Sequence, residues 1–492
     1  MFEIIFTTVY LLITIGAAIA VVATLGFAMH GERLWGTKFV PAIVPLITLG
    51  IAASTLMSGR NLLFAEKYVD FLSLSLGEGT KIMQLITLAI LSIAMAKLIG
   101  AFVQRQSMPA APGTPLFVAM MVYLVASNFL PSAFGTVPTF VHTMFYSVLI
   151  FSAAWAARRE SPEATIIAAK VALYVLMTGS LLTALVAPSM AIQPNYQSLI
   201  PGLKMRFWGL GAHANSIGPL ALLTLLLEYL HPTRSLWLRA LLMLATGLVF
   251  VLAQSKTVWI VLPIVLAILA WYRWVKGHSQ RASIVAALVF IGAASALLSA
   301  LMLLDVGAIW DRFSDSRLGA SLTTFTGRTG IWELALREWQ RNPIFGYGPE
   351  IWGPRFRAEY GVPHAFSAHN QFMQTLSAAG TLGFVALLAY LGYLIRAALR
   401  AATLTKGVSV ALLSMVLIRS LSETPLSMTG LIDGNALIHF LFFVIILRAP
   451  DSGQARHASR QALTTPATRL AQPATRSPQP LARWLQWPSR VE

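Results

Sequence analysis

Apolar runs long enough to cross a membrane recur along almost the whole chain. They are roughly 18–23 residues long, and a helix needs about 20 residues to span a hydrocarbon core. Composition agrees, because 57% of the 492 residues are hydrophobic and only 11% are charged. A soluble protein carries about a quarter charged residues. The sequence therefore predicts an all-α polytopic integral membrane protein.

The apolar runs predict 12 or 13 transmembrane helices. The first run, from Ile4, lacks a basic n-region and a cleavage signal, so we expect a retained helix rather than a removed signal peptide. The predicted spans are 4–28, 39–57, 82–103, 115–131, 140–157, 165–188, 213–231, 237–254, 257–274, 283–304, 371–395, 407–424 and 433–448.

The excess of basic residues predicts the orientation of these spans. The formal net charge is +17, and Lys and Arg concentrate in cytoplasmic loops of membrane proteins. We therefore predict that the loops with "ARRES", "HPTRSLWLR", "WYRWVKGHSQR" and "RAALRAATLTK" are cytoplasmic. No nucleic-acid-binding motif accompanies the charge, so the lipid bilayer is an expected partner and nucleic acid is not. The chain has no cysteine, which excludes disulfides and thiolate chemistry.

Two parts of the chain differ in composition. Residues 1–448 form the predicted transmembrane domain, which includes a large outer loop at 305–370. Because this loop is rich in aromatic residues and leucine, we expect it to be folded, helical and functional. Residues 449–492 are rich in Ala, Arg, Pro, Gln, Ser and Thr, which predicts a disordered basic cytoplasmic tail.

The outer loop contains "GRTGIWELALREWQRNPIFGYG" at 327–348, which predicts an amphipathic helix followed by a glycine turn. Such a helix fits the membrane–water interface, and it equally fits packing over the outer mouths of the spans. Glu333 and Arg337 are predicted to pair on its polar side, and Arg341 to be solvated. The predicted apolar side consists of Ile331, Trp332, Ala335, Leu336 and Trp339.

Four side chains at the predicted outer boundary could carry chemistry: Arg206, Lys256, Arg328 and His369. Arginine offers a planar fork of donors to phosphate oxygens, and lysine offers a point charge. A histidine beside them could take a proton near neutral pH. The alternative for Lys256 is that it only reaches out to water.

The other polar residues indicate no specific chemistry. His213 and His364 are expected to cap or pack. No His-x-x-x-His pair or carboxylate cluster suggests a metal site, and no G-x-S-x-G elbow suggests a serine hydrolase. We therefore predict no metal and no cofactor.

The motifs together resemble those of the O-antigen ligase/polymerase family of bacterial envelope glycosyltransferases. "GRTGIWELALREWQRNPIFGYG" is followed by "HNQFMQTLSAAGTLGF", and "RFWGLGAHANSIGP" and "SKT" lie upstream. The residues that match the family pattern are Gly327, Arg328, Trp332, Pro343, Gly346, Gly348, His369, Asn370, Gly380 and Gly383.

The resemblance implies a GT-C-like fold and a metal-independent, inverting transfer outside the inner membrane. The donor would be a glycan on undecaprenyl diphosphate, and the acceptor a sugar hydroxyl of a glycan or of lipid A-core. In the family, arginines hold the diphosphate and the histidine lies near the acceptor, which assigns these roles to Arg328 and His369. Chain-length regulators or export proteins would be further partners.

Four more residues are predicted to bind substrate: Arg206, Lys256, Asn370 and Glu423. The family usually has Ser-Arg where this chain has Ser255 and Lys256. Lysine keeps the charge but loses the bidentate fork, and Arg206 is expected to share that work. Glu423 could orient His369 or bind the acceptor, or it could simply pair with Arg419.

Several functions remain open from the sequence. We favour a polysaccharide polymerase slightly, because nothing points specifically to a lipid A-core acceptor. An O-antigen ligase and a protein O-glycosylation ligase share the motifs. A transporter or flippase would favour ionisable residues near the membrane midplane. Instead, Lys97, Lys170 and Glu228 lie toward the ends of their spans, where we expect them to reach water.

Overall fold

The protein is described from a computed structural model. It describes residues 40–64, 79–103, 113–158, 160–196, 198, 200–275, 328–363, 365–428 and 430–447, together with isolated helical positions between 8 and 30. The predicted span at 283–304, most of the span at 4–28 and the predicted tail at 449–492 lie outside the described residues. The predicted division into a transmembrane domain and a tail therefore stays a prediction.

The described part is almost entirely helical, with one short hairpin of two strands. The helices are α1 (Val40–Met57), α2 (Gly79–Val103), α3 (Thr114–Leu124), α4 (Leu130–Phe134), α5 (Met144–Ala156), α6 (Pro162–Val186), α7 (Pro188–Ala191), α8 (Ala214–Leu230), α9 (Leu236–Ala253), α10 (Lys256–Val275), α11 (Arg328–Arg341), α12 (Pro354–Glu359), α13 (Gln371–Ala401), α14 (Val408–Ser420) and α15 (Gly434–Leu447). The strands are β1 (Ile192–Pro194) and β2 (Met205–Phe207).

The predicted polytopic membrane fold is confirmed. Within the described ranges, seven helical stretches are long and apolar enough to cross a membrane, and four shorter apolar helices accompany them. These 11 (7 + 4) correspond to 11 of the predicted spans, and bounds such as Leu236–Ala253 differ from the prediction by one residue. Helix α13 extends to Ala401, six residues beyond the predicted 371–395.

Side-chain contacts join helix ends that the predicted cytoplasmic loops flank. Lys97 near the end of α2 pairs with Glu160, just before α6. His231, just after α8, lies 4.0 Å from Glu163 at the start of α6. The opposite end of these helices, called the outer end below, carries the hairpin and helix α11. Which end faces the cytoplasm stays a prediction from the basic loops.

The expectation that Lys170 and Glu228 reach water is wrong. Glu228 has a fully buried side chain and lies 3.1 Å from the Lys170 ammonium. Its carboxylate also accepts hydrogen bonds from Tyr174, at 2.9 Å, and from the Thr233 backbone, at 2.6 Å. The packing of α6 against α8 encloses both charges, and each then stabilises the other.

Helix α11 forms as predicted, but its buried side differs from the predicted apolar side. Leu334, Ala335 and Glu338 are buried, whereas Leu336 is 36% exposed. Glu338 accepts hydrogen bonds from Arg341, at 2.9 Å, and from Tyr360, at 2.8 Å. The packing of α11 against α12 and α13 therefore buries a carboxylate that is not part of the predicted apolar side.

The same contacts bear on two smaller expectations about α11. Arg341 is 51% exposed, as expected for a solvated charge, and it also pairs with Glu338. Glu333 and Arg337 are both exposed, and no ion pair joins them in the described structure. The Trp332 indole donates to the Ala368 carbonyl at 2.8 Å, so this tryptophan contacts the protein, as in the packing alternative.

The glycine turn after α11 inserts into a break in α13. Gly380 interrupts α13 with φ 64°, and a Cβ there would lie 2.3 Å from the Ile344 carbonyl oxygen. Two backbone hydrogen bonds join the turn to the broken helix. The Tyr347 N–H donates to the Ser377 carbonyl at 2.8 Å, and the Thr381 N–H donates to the Pro343 carbonyl at 2.8 Å. Glycine is therefore required where the backbones of the loop and of the broken helix meet.

Candidate functional site

Glu423 is the centre of a polar cluster at the outer end. Its Oε1 accepts a hydrogen bond from Asn215 Nδ2 at 2.8 Å and lies 3.9 Å from Arg328 Nη2. Its Oε2 lies 3.3 Å from His369 Nδ1. We call Glu423, Asn215, Arg328 and His369 the Glu423 cluster. The side chains of Arg328, Glu423 and His369 are 20%, 17% and 30% exposed, so a ligand can reach them.

The start of α13 fixes His369. Asn370 caps this helix, and its Oδ1 accepts from the backbone N–H groups of Phe372 and Met373. Its Nδ2 donates to the Leu421 carbonyl at 3.2 Å. His369 has φ 47°, in the left-handed region that few non-glycine residues adopt. The cap and this bend direct the imidazole toward the Glu423 carboxylate.

Arg328 is positioned from the other side, as the first residue of α11. Its Nη1 donates to the Ser422 carbonyl at 2.9 Å, next to Glu423 in the chain. Burial lowers the pKa of Arg328, and the negative charge of Glu423 partly opposes this effect. Arg328 therefore bonds to the same short segment that carries the carboxylate.

The hairpin places Arg206 at the carboxyl end of α9. Strands β1 and β2 pair antiparallel with Arg206 opposite Gln193. Arg206 Nε donates to the Ala253 carbonyl at 3.2 Å, where the helix dipole favours a positive charge. Its Nη2 donates to Asn215 Oδ1 at 2.6 Å. Through Asn215, the guanidinium is thus linked to the Glu423 carboxylate.

Lys256 is the first residue of α10 and lies beside the same segment. The next residue, Thr257, forms a hydrogen bond of 2.8 Å between its hydroxyl and that of Ser422. Lys256 directly follows the tight connection at Gln254 and Ser255, as predicted for a hairpin of two helices. The structure therefore brings the backbone around Lys256 to the Glu423 cluster.

Electrostatics keep Glu423 ionised. Burial by itself would raise the pKa of this carboxyl. The hydrogen bond and charge of His369, with the charges of Arg419 and Arg328, outweigh burial and lower the pKa from 4.5 to about 2. Glu423 is therefore a carboxylate at any pH near neutrality.

His213 caps α8, as expected from the sequence. Its Nδ1 accepts from the Asn215 backbone N–H at 3.0 Å. Burial, and then the nearby Arg206, lower the pKa of His213 to about 3. It is a neutral capping group. The other expected capping histidine, at 364, lies outside the described residues.

Sequence reasoning missed two residues that build the site. Asn215 bridges Arg206 and Glu423, and its only signal is its position in "RFWGLGAHANSIGP". The buried Arg60 donates to the carbonyls of Met190 and Gly209 at 2.7 and 2.6 Å, which holds the loop on both sides of the hairpin. Its signal is weak, since a lone arginine after an apolar span is normally read as a surface charge.

The described structure gives no group of three or more His, Cys, Asp or Glu side chains that could hold a metal ion.

The predicted alternative for Glu423, a simple pair with Arg419, is not the observed arrangement. The Arg419 guanidinium donates instead to the Asn215 carbonyl at 3.2 Å. Arg419 thus bonds to the backbone of Asn215, while the Glu423 carboxylate contacts His369 and the Asn215 side chain.

Comparison with known proteins finds a matching family model. Residues 240–388 match the family model described as O-Antigen ligase. This segment is similar to O-antigen ligases. The match confirms the resemblance found in the motifs and gives the protein a membrane role in glycan transfer during polysaccharide assembly. The search of curated proteins found no match.

The segment that matches the family model supplies part of the site. Its matched range includes Lys256, Arg328, His369 and Asn370. Arg206, Asn215 and Glu423 lie outside that range, on β2, at the start of α8 and after α14. The Glu423 cluster therefore joins side chains of the matched segment to side chains from before and after it.

Proposed function

We propose that the protein transfers a glycan from undecaprenyl diphosphate to a sugar hydroxyl at the periplasmic face of the bacterial inner membrane. The observation that carries the proposal is the Glu423 carboxylate, which contacts His369 through one oxygen and lies near Arg328 through the other. The cluster thus combines a proton acceptor, His369, with a cation, Arg328, at the ends of membrane helices. A lipid-linked donor and a polar acceptor can meet there.

His369 is the proposed general base. With Nδ1 donating to Glu423, Nε2 is left to accept the proton of the attacking hydroxyl. The acceptor oxygen forms a bond to the anomeric carbon of the donor sugar as the bond from that carbon to the phosphate oxygen breaks. The lipid diphosphate leaves with the bonding electrons. A single displacement of this kind inverts the anomeric centre, and the Glu423 carboxylate stabilises the imidazolium that forms.

Arg328 and Lys256 are the proposed contacts of the leaving diphosphate. Charge grows on the diphosphate as the glycosidic bond breaks, and fixed cations stabilise that charge. Asn370 and Arg206 also remain proposed substrate-binding residues. Their observed hydrogen bonds to Leu421, Ala253 and Asn215 favour a role in holding the site in shape. No metal takes part in this scheme.

Between the possible acceptors we favour a growing glycan, so that the enzyme acts as a polysaccharide polymerase. An O-antigen ligase acting on lipid A-core, or a protein O-glycosylation ligase, uses the same chemistry on another acceptor. The site residues are the same in each case, so the acceptor has to be determined by experiment.

The proposal is tested with purified protein and a lipid-diphosphate-linked oligosaccharide donor. A ladder of product lengths from the donor alone indicates a polymerase. Product that forms only with lipid A-core or a protein indicates a ligase. Donor that is moved across vesicles without any new glycosidic bond would contradict the proposal and favour a flippase.

Arg328→Ala tests the diphosphate contact in the same assay. We expect transfer to be abolished, because the cation next to the leaving group is lost. Arg337→Ala is the matched control, since this exposed arginine lies on the same helix away from the cluster and should leave transfer unchanged. Normal product from Arg328→Ala would rule out the assigned role.

A further inference from the structure

A second polar feature, a cleft, lies beside the Glu423 cluster. The cleft is open to solvent. None of the described residues that line it is acidic or basic. Its polar lining consists of Tyr123, Ser127, Asn128, Gln374, Thr375 and Ser427.

One wall of the cleft is a distorted stretch of helix. Between α3 and α4 the helix widens into a π-turn at Val125–Phe129, and such turns are frequent at functional sites. Asn128, in this turn, lines the cleft, and its Nδ2 is buried without a hydrogen-bond partner among the described residues. A buried donor that the protein leaves unsatisfied needs an explanation, and one explanation is a ligand.

The opposite wall connects the cleft to the proposed general base. Gln374 lines the cleft, and its Oε1 accepts from the backbone N–H of Ala368 at 2.9 Å, one residue before His369. Ser427 lies four residues after Glu423 and receives a hydrogen bond from Gln371 at 3.3 Å. The cleft and the Glu423 cluster therefore share two chain segments.

The two sites differ in charge. The Glu423 cluster holds arginine, histidine and carboxylate groups, which suit a diphosphate and a proton transfer. The cleft offers only hydroxyl and amide groups beside apolar surface, which suits the hydroxyls of a neutral sugar. A diphosphate has no cation to bind in the cleft, so the donor lipid head and the acceptor would not compete for the same place.

We propose that this cleft is the acceptor subsite, in which the Asn128 amide donates a hydrogen bond to a sugar that presents its hydroxyl to His369. This proposal rests on the proposed transfer reaction and adds where the acceptor binds. It makes Asn128 a residue that determines acceptor affinity. It also predicts that donor binding and acceptor binding can be separated by mutation.

The test uses purified protein, a lipid-diphosphate-linked glycan as donor, and the same glycan freed of its lipid diphosphate as acceptor. Each KM is measured by varying one substrate while the other is saturating. Asn128→Ala removes the amide, and Asn128→Asp keeps the shape but removes the Nδ2 donor. For both variants we expect the acceptor KM to rise about fivefold or more, the loss of one ordinary hydrogen bond, with the donor KM unchanged. Val125→Ala, an exposed position in the same π-turn, controls for disturbance of the helix and should leave both KM values unchanged.

Each result decides the proposal. An unchanged acceptor KM in both Asn128 variants, or a raised donor KM instead, overturns the acceptor subsite while wild-type transfer keeps the proposed function intact. Equal effects in Val125→Ala would show that the helix shape matters and not the amide, which also overturns it. If the wild-type protein forms no product from any donor, the proposed function fails first, and the subsite fails with it.

Discussion

Two glutamates at opposite ends of the helices hold similar partners in different ways. Glu228 is fully buried between Lys170 and Arg239, at 3.1 and 3.4 Å, and it also accepts hydrogen bonds from Tyr174 and Thr233. Glu423 is partly exposed, and its partners, His369 and Arg328, are themselves partly exposed. A saturated buried carboxylate has no capacity left for a ligand, whereas a partly exposed one has.

The comparison shows that charge alone does not identify a functional site in a membrane protein. Removing one partner of a buried pair leaves an uncompensated charge and destabilises the fold. Removing His369 or Arg328, the partly exposed partners of Glu423, should cost less stability, because water can replace the lost partner. Mutations at the two ends should therefore separate stability from activity.

The largest expected effect is at the outer end. His369→Ala should lower transfer by about 10²–10⁴-fold, the usual contribution of a general base. Cells that carry this variant should lack the glycan. The thermal unfolding midpoint should not change. His231→Ala, a partly exposed histidine at the other end, is the matched control and should keep full transfer. Normal glycan from His369→Ala would remove this residue from the mechanism.

At the buried end the effect should be on stability. Glu228→Ala should destabilise the protein by about 3–5 kcal/mol, since Lys170 loses its buried partner. Thermal unfolding in detergent measures this, and transfer per folded molecule should be retained. Glu163→Ala removes an exposed carboxylate on the neighbouring helix and should change stability by less than about 1 kcal/mol. If Glu228→Ala and Glu163→Ala lower stability equally, burial of the carboxylate does not determine how much it contributes to stability.

Glu423→Gln should lower transfer on the order of 10²-fold, less than His369→Ala, because it weakens the support of the base without removing it. The variant should also lose a pH dependence of stability. The pKa of Glu423 is lowered from 4.5 to about 2 by folding, so its ionised form stabilises the fold above about pH 4.5. That stabilisation is lost as the pH falls through about 2.

The measurement for Glu423 is the unfolding midpoint of wild type and Glu423→Gln from neutral pH downward. The difference between the two should be constant above about pH 4.5 and shrink toward pH 2. Glu350→Gln, at an exposed carboxylate on the loop after α11, is the control. A difference that stays constant down to pH 2 would contradict the lowered pKa.

The smallest effect is expected at Lys256. Lys256→Arg should retain activity, because a cation remains at the start of α10. Lys256→Ala should raise the donor KM and leave the acceptor KM unchanged, as measured with the same lipid-linked donor. Complete loss of transfer in Lys256→Arg would show that the phosphate contact is misassigned.

The sequence alone determined most of the membrane fold. The length of an apolar run sets whether a helix can cross the bilayer, and this rule placed α9 to within one residue of its bounds. Pro343 and the following glycines also marked the end of α11 correctly, because backbone restrictions of Pro and Gly act locally. The ordered motifs were sufficient to indicate the family that the matched segment confirms.

Only the tertiary structure decided which side chains meet. Asn215 and Glu423 are 208 positions apart and become partners because α8 begins beside the end of α14. Periodicity placed Leu336 in the buried side of α11, but packing against α12 and α13 buried Leu334 and Glu338 instead. An apolar period reports that a helix has two sides. It does not report what packs against each side, and contacts between helices distant in the chain depend on that packing.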